Sequence, residues 1–192
     1  MRTEIRIAGT GGQGAITVGQ ILGTAAALHD KKDAVVTEGY SPSITGGWSR
    51  ADVVISDEPI DYPLVTRLDA LVAMYQGGLD LNAKIVKPSA AVVVESQLVD
   101  ATRAKTEGEA FPIPAAAQAQ TLGKKVLTNI ILLGALLELT PVVSRDSVES
   151  TLAGRFPAFA ELNIKALNCG FELARAAVAK RGRTSAVAQG QR

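Results

Sequence analysis

The sequence is poor in the residues that most often do chemistry. Its 192 residues include one cysteine, Cys169, and one histidine, His29. A single cysteine excludes an internal disulfide. It also excludes an iron–sulfur cluster or zinc knuckle held by cysteines of this chain alone. His29 precedes Asp30-Lys31-Lys32, where a helix should end, and reads as a surface or capping residue. With the two so far apart in sequence, neither a catalytic triad nor a metal site made within the chain is expected. Charge of one sign is also missing: Lys and Arg number 20 against 19 Asp and Glu. No net field therefore favours nucleic acid or an acidic membrane as partner. No apolar run reaches the roughly 18 residues of a membrane span. The nearest, Val126–Leu139, is shorter and carries Asn129 and Glu138. Met1-Arg2-Thr3-Glu4 enters a strand pattern without a signal-peptide core, so a cytoplasmic protein is expected.

What is present suffices for a globular core: 47% of residues are hydrophobic. Apolar runs at Glu4–Gly9, Asp33–Glu38, Ala51–Ser56, Asp69–Tyr75 and Ala90–Glu95 read as strands. Helical recurrence marks Gln13–His29, Thr128–Leu139, Ser144–Ala153 and Ala158–Lys180, with a short helix about Leu79–Lys84. Ala101–Pro114 turns from polar to extended, because Pro112 and Pro114 hold their preceding residues at β-like angles. Strands that alternate with helices and are apolar on both faces predict an α/β fold. We expect a three-layer α/β/α, Rossmann-like, mostly parallel sheet flanked by helices. The expected domain is 1–180, with a flexible tail at 181–192.

Gly9-Thr10-Gly11-Gly12-Gln13-Gly14 follows the first strand and fits G-x-G-x-x-G. Such glycines allow a tight turn, let backbone N–H groups approach a phosphate, and aim the next helix's positive end at it. Glu38 ends the second strand, where a dinucleotide site keeps its ribose-binding acid. A free-standing NAD or FAD protein is therefore one reading, and a bare turn between strand and helix is another. The extra glycine and the glutamine are unusual for a dinucleotide loop. No acid/base pair or substrate domain accompanies it. Gly19 and Gly23, four apart, share one helical face and predict a close neighbour there.

The loop with ITVGQILGTAAA behind it resembles the start of the gamma subunit of 2-oxoacid:ferredoxin oxidoreductases. The likeness continues through Tyr40–Ile60, YSPSITGGWSRADVVISDEPI, where Tyr40, Pro42, Gly46, Gly47, Ser49, Asp57 and Pro59 stand in the family's places. Lys87-Pro88, Pro112-Ile113-Pro114, Asn129, Leu133-Gly134-Ala135, Asn163, Ala166 and Gly170 extend it over roughly residues 3 to 178. Ser41, Ser43 and Thr45 depart from the pattern, which has glycine, glutamate and arginine there. Arg50 is the nearby cation that could replace the missing arginine.

The resemblance implies a fold like the gamma domain of pyruvate:ferredoxin oxidoreductase and a share in a larger machine. That machine converts a 2-oxoacid and coenzyme A to acyl-CoA and carbon dioxide. It uses thiamine diphosphate with Mg²⁺, and 4Fe–4S clusters that pass electrons to ferredoxin. These groups are expected on alpha, beta and possibly delta partners, with coenzyme A the one ligand this chain could touch. No catalytic residue is expected here, and the chain alone should be inactive. The implied contacts, to coenzyme A or to partner backbone, are Gly9, Gly11, Gly12, Gln13, Gly14, Tyr40, Gly46 and Gly47. Tyr40 and Pro42 favour 2-oxoglutarate or a pyruvate-like substrate over indolepyruvate. The glycine-bearing helix and the loop with Trp48 are expected to face partner chains.

Overall fold

The computed structural model describes residues 1–42, 47–103 and 105–189. Six strands form one sheet: β1 (Arg2–Thr10), β2 (Asp33–Tyr40), β3 (Trp48–Ser56), β4 (Leu68–Ala73), β5 (Val86–Glu95) and β6 (Glu109–Ile113). Their spatial order is β2-β3-β1-β4-β5-β6. β1, β4, β5 and β6 pair in parallel, while β3 is antiparallel to both β1 and β2. The α/β fold expected from the sequence is thus present, with one strand reversed. β2 does not neighbour β1, as a Rossmann half would require; β3 lies between them. The cause is the connection 41–47, which is too short for a crossover and can make only a hairpin. β6 falls in the stretch read only as extended. Pro112 is tolerated there because β6 is an edge strand.

Helices α1 (Ala15–Thr24, continued by a wide turn Ala25–His29), α3 (Ala115–Thr121), α4 (Thr128–Leu139), α5 (Arg145–Arg155) and α6 (Ala160–Gln189) cover one face of the sheet. α2 (Gln76–Asp80) and the turn Ala83–Ile85 cover part of the other. The last helix, expected to stop at Lys180, runs on to Gln189. His29 ends its turn exposed, as expected. Odd-numbered Ile5 and Ile7 of β1 face the helices with Val53, Ile55 and Val72. Even-numbered Glu4 and Arg6 point to the other face, yet both are buried.

The glycine pair of α1 does not face a partner. A Cβ at Gly19 would meet Ala51 of β3 under 3 Å away, and one at Gly23 would meet Val36 of β2 as closely. The close neighbour is the chain's own sheet, which corrects the interface expectation for this helix. α1 lies this near because it crosses over β3 on its way from β1 to β2.

The strand ends opposite the glycine loop are tied by Glu4. Its Oε2 accepts from the amides of Thr66 (2.6 Å) and Arg67 (3.1 Å), and Oε1 accepts from Arg2 Nε (3.0 Å). Burial alone would push this carboxyl up. The two amides and the Arg2 guanidinium outweigh it and hold it below the ordinary 4.5. A depressed carboxyl contributes stability above its unfolded pKa, and that stability is lost as pH falls through the folded value. Glu4→Gln should therefore cost about 1–2 kcal/mol at pH 7, since one amide edge must face an N–H donor. The variant's urea midpoint should fall less steeply than wild type's below pH 4.5. Parallel pH curves for the two proteins would contradict this.

Candidate functional site

All strands but β3 end at one edge of the sheet, and β3 begins there. This edge gathers the glycine loop, the 41–47 connection and the N-termini of α1 and α3. The β1 and β3 strands place Thr10 opposite Trp48 and Gly9 opposite Ser49. The glycine loop therefore meets the hairpin connection directly: Gly11 N–H donates to Gly47 O at 2.8 Å. The two loops expected to share an edge do so, through β3 and not through adjacent parallel strands.

The expected contact residues take different places. Gly9 lies within β1, and its missing side chain is replaced by Met74, Gln13 and Ala15 within 3.1–3.3 Å of its Cβ position. Gly12, at φ 86, has nothing within 4 Å of a built Cβ and faces open space. Gly14, at φ 77, is the N-cap of α1, and a Cβ there would collide with Asn129 Nδ2. Glycine is required there by both conformation and space. Gln13 is a clamp: its Oε1 accepts from Thr10 N–H (2.7 Å) and its Nε2 donates to Met74 O (3.0 Å). Tyr40 ends β2, 59% exposed, with its hydroxyl on Glu38. Gly46, with Ser43 and Thr45, lies outside the described residues. Trp48 opens β3 at 38% exposure, beneath the Arg50 guanidinium. Arg50 and Trp48 alternate with Ser49, so Arg50 lies on the face of β3 away from the α1 side.

These positions disfavour the dinucleotide reading. Chains from β1 and β4 leave to opposite faces, so the ligand crevice of an open α/β sheet would lie between them. Gln13 bridges its mouth, tying Thr10 N–H to Met74 O. The Gly11 N–H is already bonded to Gly47. Glu38 sits two strands from β1, about 10 Å away, and accepts from Gln20 Nε2 (2.7 Å) and Tyr40. Those two hydrogen bonds hold its carboxyl below the ordinary value, and its charge is committed to Tyr40 and Gln20.

A cleft of about 630 Å³ opens on the α1 side of the glycine loop. One wall is Gly11, Gly12, Gly14 and the first turn of α1, with Tyr40 and Ser49. The far wall comes from residues more than a hundred positions later: Lys124, Val126, Asn129, Phe156 and Phe159. None of that wall entered the site expectation, though Asn129 stood out as a polar residue in an apolar helix. Lys124 Nζ rests 3.6 Å from the centroid of the Phe159 ring. A smaller cavity, about 510 Å³, lies on the other side of the loop. There Glu95, fully buried, accepts from the amides of Gln97 (2.8 Å), Leu98 (2.9 Å) and Ala116 (3.1 Å). Among the described residues, no three His, Cys, Asp or Glu groups are placed to hold a metal ion. No described helix is long and apolar enough to cross a membrane.

The fold and this edge define an α/β domain that presents a glycine-lined cleft. Comparison with known proteins places that domain. The pattern of the pyruvate ferredoxin/flavodoxin oxidoreductase family matches residues 4–173. The 2-oxoglutarate synthase subunit KorC of Methanocaldococcus jannaschii is 40% identical over 178 residues, 91% of this chain and 95% of that protein. The crystal structure of the keto/oxoacid ferredoxin oxidoreductase gamma subunit from Geobacter sulfurreducens superposes with a TM-score of 0.81 at 38% identity. That match covers 92% of this chain and 98% of the other. The 2-oxoglutarate:ferredoxin oxidoreductase of Magnetococcus marinus, solved with 2-oxoglutarate, coenzyme A and succinyl-CoA bound, gives 0.82 at 26% identity. There the likeness takes in 91% of this chain but 31% of the longer one. The chain belongs to the pyruvate ferredoxin/flavodoxin oxidoreductase family, and is a gamma-type subunit of it.

Proposed function

We propose that this chain completes a cytoplasmic, multisubunit 2-oxoacid:ferredoxin oxidoreductase whose substrate is 2-oxoglutarate or a close relative. The observation that carries this reading is one of length. The same domain is a whole protein in one relative and a third of a longer chain in another. A domain fused in one protein and separate in another keeps its neighbours by docking. Alpha and beta partners, with or without a delta subunit, would hold thiamine diphosphate, Mg²⁺ and the 4Fe–4S clusters; ferredoxin would take the electrons. Thiamine diphosphate would supply the electron sink for decarboxylation. This chain's one cysteine cannot anchor a cluster by itself.

The chain's own residues suit binding. The first turn of α1 has no side-chain cap. Its unpaired amides and positive end face the cleft and suit an anionic group such as a coenzyme A phosphate. The Gln13 clamp holds the glycine loop to the ends of β1 and β4, and the Gly11–Gly47 hydrogen bond ties it to the residue before β3. Gly9, Gly11, Gly12, Gln13, Gly14, Tyr40, Gly46 and Gly47 are the proposed contact set. Within it Gln13, Gly11 and Gly9 shape the rim, while Gly12, Gly14 and Tyr40 border open space.

Coexpression with the alpha and beta partners is the test. Viologen reduction by 2-oxoglutarate should require coenzyme A and fall at least about tenfold when this chain is omitted. Partners that reach full activity without it, or an isolated chain that binds NAD, would overturn the reading.

A further inference from the structure

A second recess, of about 270 Å³, lies on the face of the sheet away from the α1 cleft. Arg6 of β1 lies in its floor. Trp48 and Arg50 of β3 make one wall, and Tyr75, Leu81 and Ile85 make the other. Trp48 and Arg50 share this face because Ser49 alternates between them. Gly39 of β2, directly opposite Arg50, makes room for both. A Cβ there would come within 3.0 Å of Arg50 Nε and 3.2 Å of the Trp48 ring.

The recess has a surplus of donors. Asp52 accepts from Arg6 Nε and Nη2, and Asn82 Oδ1 accepts from Arg6 Nη1. These bonds neutralise Arg6 and occupy the carboxylate and the amide oxygen beside it. Arg50 is left over. Its Nε stops 3.7 Å from Asp52 Oδ2, beyond hydrogen-bond reach, and its side chain is 44% exposed. The guanidinium carbon rests 5.7 Å from the centroid of the Trp48 ring. Among the described residues, Arg50, the Trp48 indole N–H and the Tyr75 hydroxyl have no hydrogen-bond acceptor. Burial pushes the Tyr75 phenol above its ordinary pKa, so it stays protonated and keeps its proton to donate.

The walls say what kind of acceptor belongs there. One uncompensated guanidinium favours an anion, and its planar fork suits a carboxylate or a phosphate. A phosphate carries more than one charge at pH 7 and has no apolar part. Leu81, 76% exposed, and Ile85 offer apolar surface opposite the Trp48 ring. The volume lies below the roughly 300–1,000 Å³ of sites for drug-sized ligands, too little to enclose a nucleotide.

We propose that this recess binds a small monocarboxylate with a short apolar body. The carboxylate pairs with the Arg50 guanidinium, and the body lies between Trp48 and Leu81. The site is separate from the glycine-loop rim and draws on neither coenzyme A nor a partner chain.

Trp48 is the only tryptophan of the chain, so its fluorescence reads this recess directly. The full chain is titrated with isovalerate, with its neutral isostere isovaleramide, and with inorganic phosphate, all at matched ionic strength. Calorimetry repeats each titration to separate binding from quenching. Isovalerate should shift the Trp48 emission saturably in the millimolar range. The amide should bind at least about tenfold more weakly, as expected for losing a hydrogen bond between charged groups. Phosphate should also bind more weakly than isovalerate. Arg50→Met removes the cation and keeps much of the wall, and should weaken isovalerate about tenfold while leaving the amide unchanged. Should that variant fail to fold, the acid–amide comparison on wild type decides alone. No saturable response, equal binding of acid and amide, tighter binding of phosphate, or an Arg50→Met protein that binds isovalerate like wild type overturns the proposal. Those outcomes leave the subunit assignment standing, since the coexpression assay does not depend on this recess.

Discussion

Gly170→Ala is expected to cost more than about 4 kcal/mol, enough to unfold much of a domain whose total stability is about 5–15 kcal/mol. The reason lies where α4 crosses α6. A Cβ at Gly170 would sit under 3 Å from Ile131 O and from the backbone of Gly134 and Ala135. A Cβ at Gly134 would meet Leu167 O as closely. Each glycine thus fills the hole made by the other helix, and the obstructing atoms are backbone. Ordinary overpacking costs about 1–3 kcal/mol because side chains shift; here whole helices must part. Separation would expose Ile131, Leu132, Leu167 and Ala174, all fully buried. Gly154→Ala gives the contrast. Gly154 lies in α5 with nothing within 4 Å of its Cβ position, so alanine should stabilise by about 0.5–1 kcal/mol through helix propensity. Urea unfolding of the two variants should move in opposite directions. A Gly170→Ala protein with a wild-type midpoint would show that the crossing is looser than described.

Local signals carried much of this fold. α4 was legible to its ends because Pro141 stops it and its residues are apolar throughout. The first strand and its loop were legible because glycines punctuate them. What a strand pattern does not carry is direction, so the reversal of β3 was missed. The shortness of 41–47 is the signal that could have revealed it. The glycine loop stood out by its spacing, and Tyr40 and Gly47 by the family resemblance. The facing wall at Lys124, Asn129 and Phe156 did not, since no short-range pattern relates residues a hundred positions apart. Gly19 and Gly23 show the same limit: their spacing announced a close neighbour, but only the topology shows that it is the chain's own β2 and β3.

β1 carries the second large effect. Glu4 and Arg6 alternate along it with Ile5 and Ile7. Yet Arg6 is 7% exposed and Asp52 6%. They are directly opposed on β1 and β3, and two hydrogen bonds of 2.6 Å join guanidinium to carboxylate. The segment after α2 closes over them: Asn82 Oδ1 accepts from Arg6 Nη1 at 2.6 Å, while its Nδ2 donates to Gly78 O at 2.7 Å. Removing one member of such a pair costs about 3–5 kcal/mol, because the other charge stays buried. The two halves are not equivalent here. Arg50 Nε lies 3.7 Å from Asp52 Oδ2. Arg6→Met therefore leaves the carboxylate with a second cation, whereas Asp52→Ala leaves two guanidiniums and no anion between them. Asp52→Ala should fall at the upper end of that range and Arg6→Met at or below the lower end. Arg6→Met with Asp52→Leu should recover most of the loss, since an apolar pair of similar volume replaces a buried ion pair at little cost. A double-variant cycle of urea midpoints measures all three. Equal costs for the single variants would mean that Arg50 does not compensate. A double variant as unstable as Asp52→Ala would mean that the pair is needed for more than its mutual neutralisation.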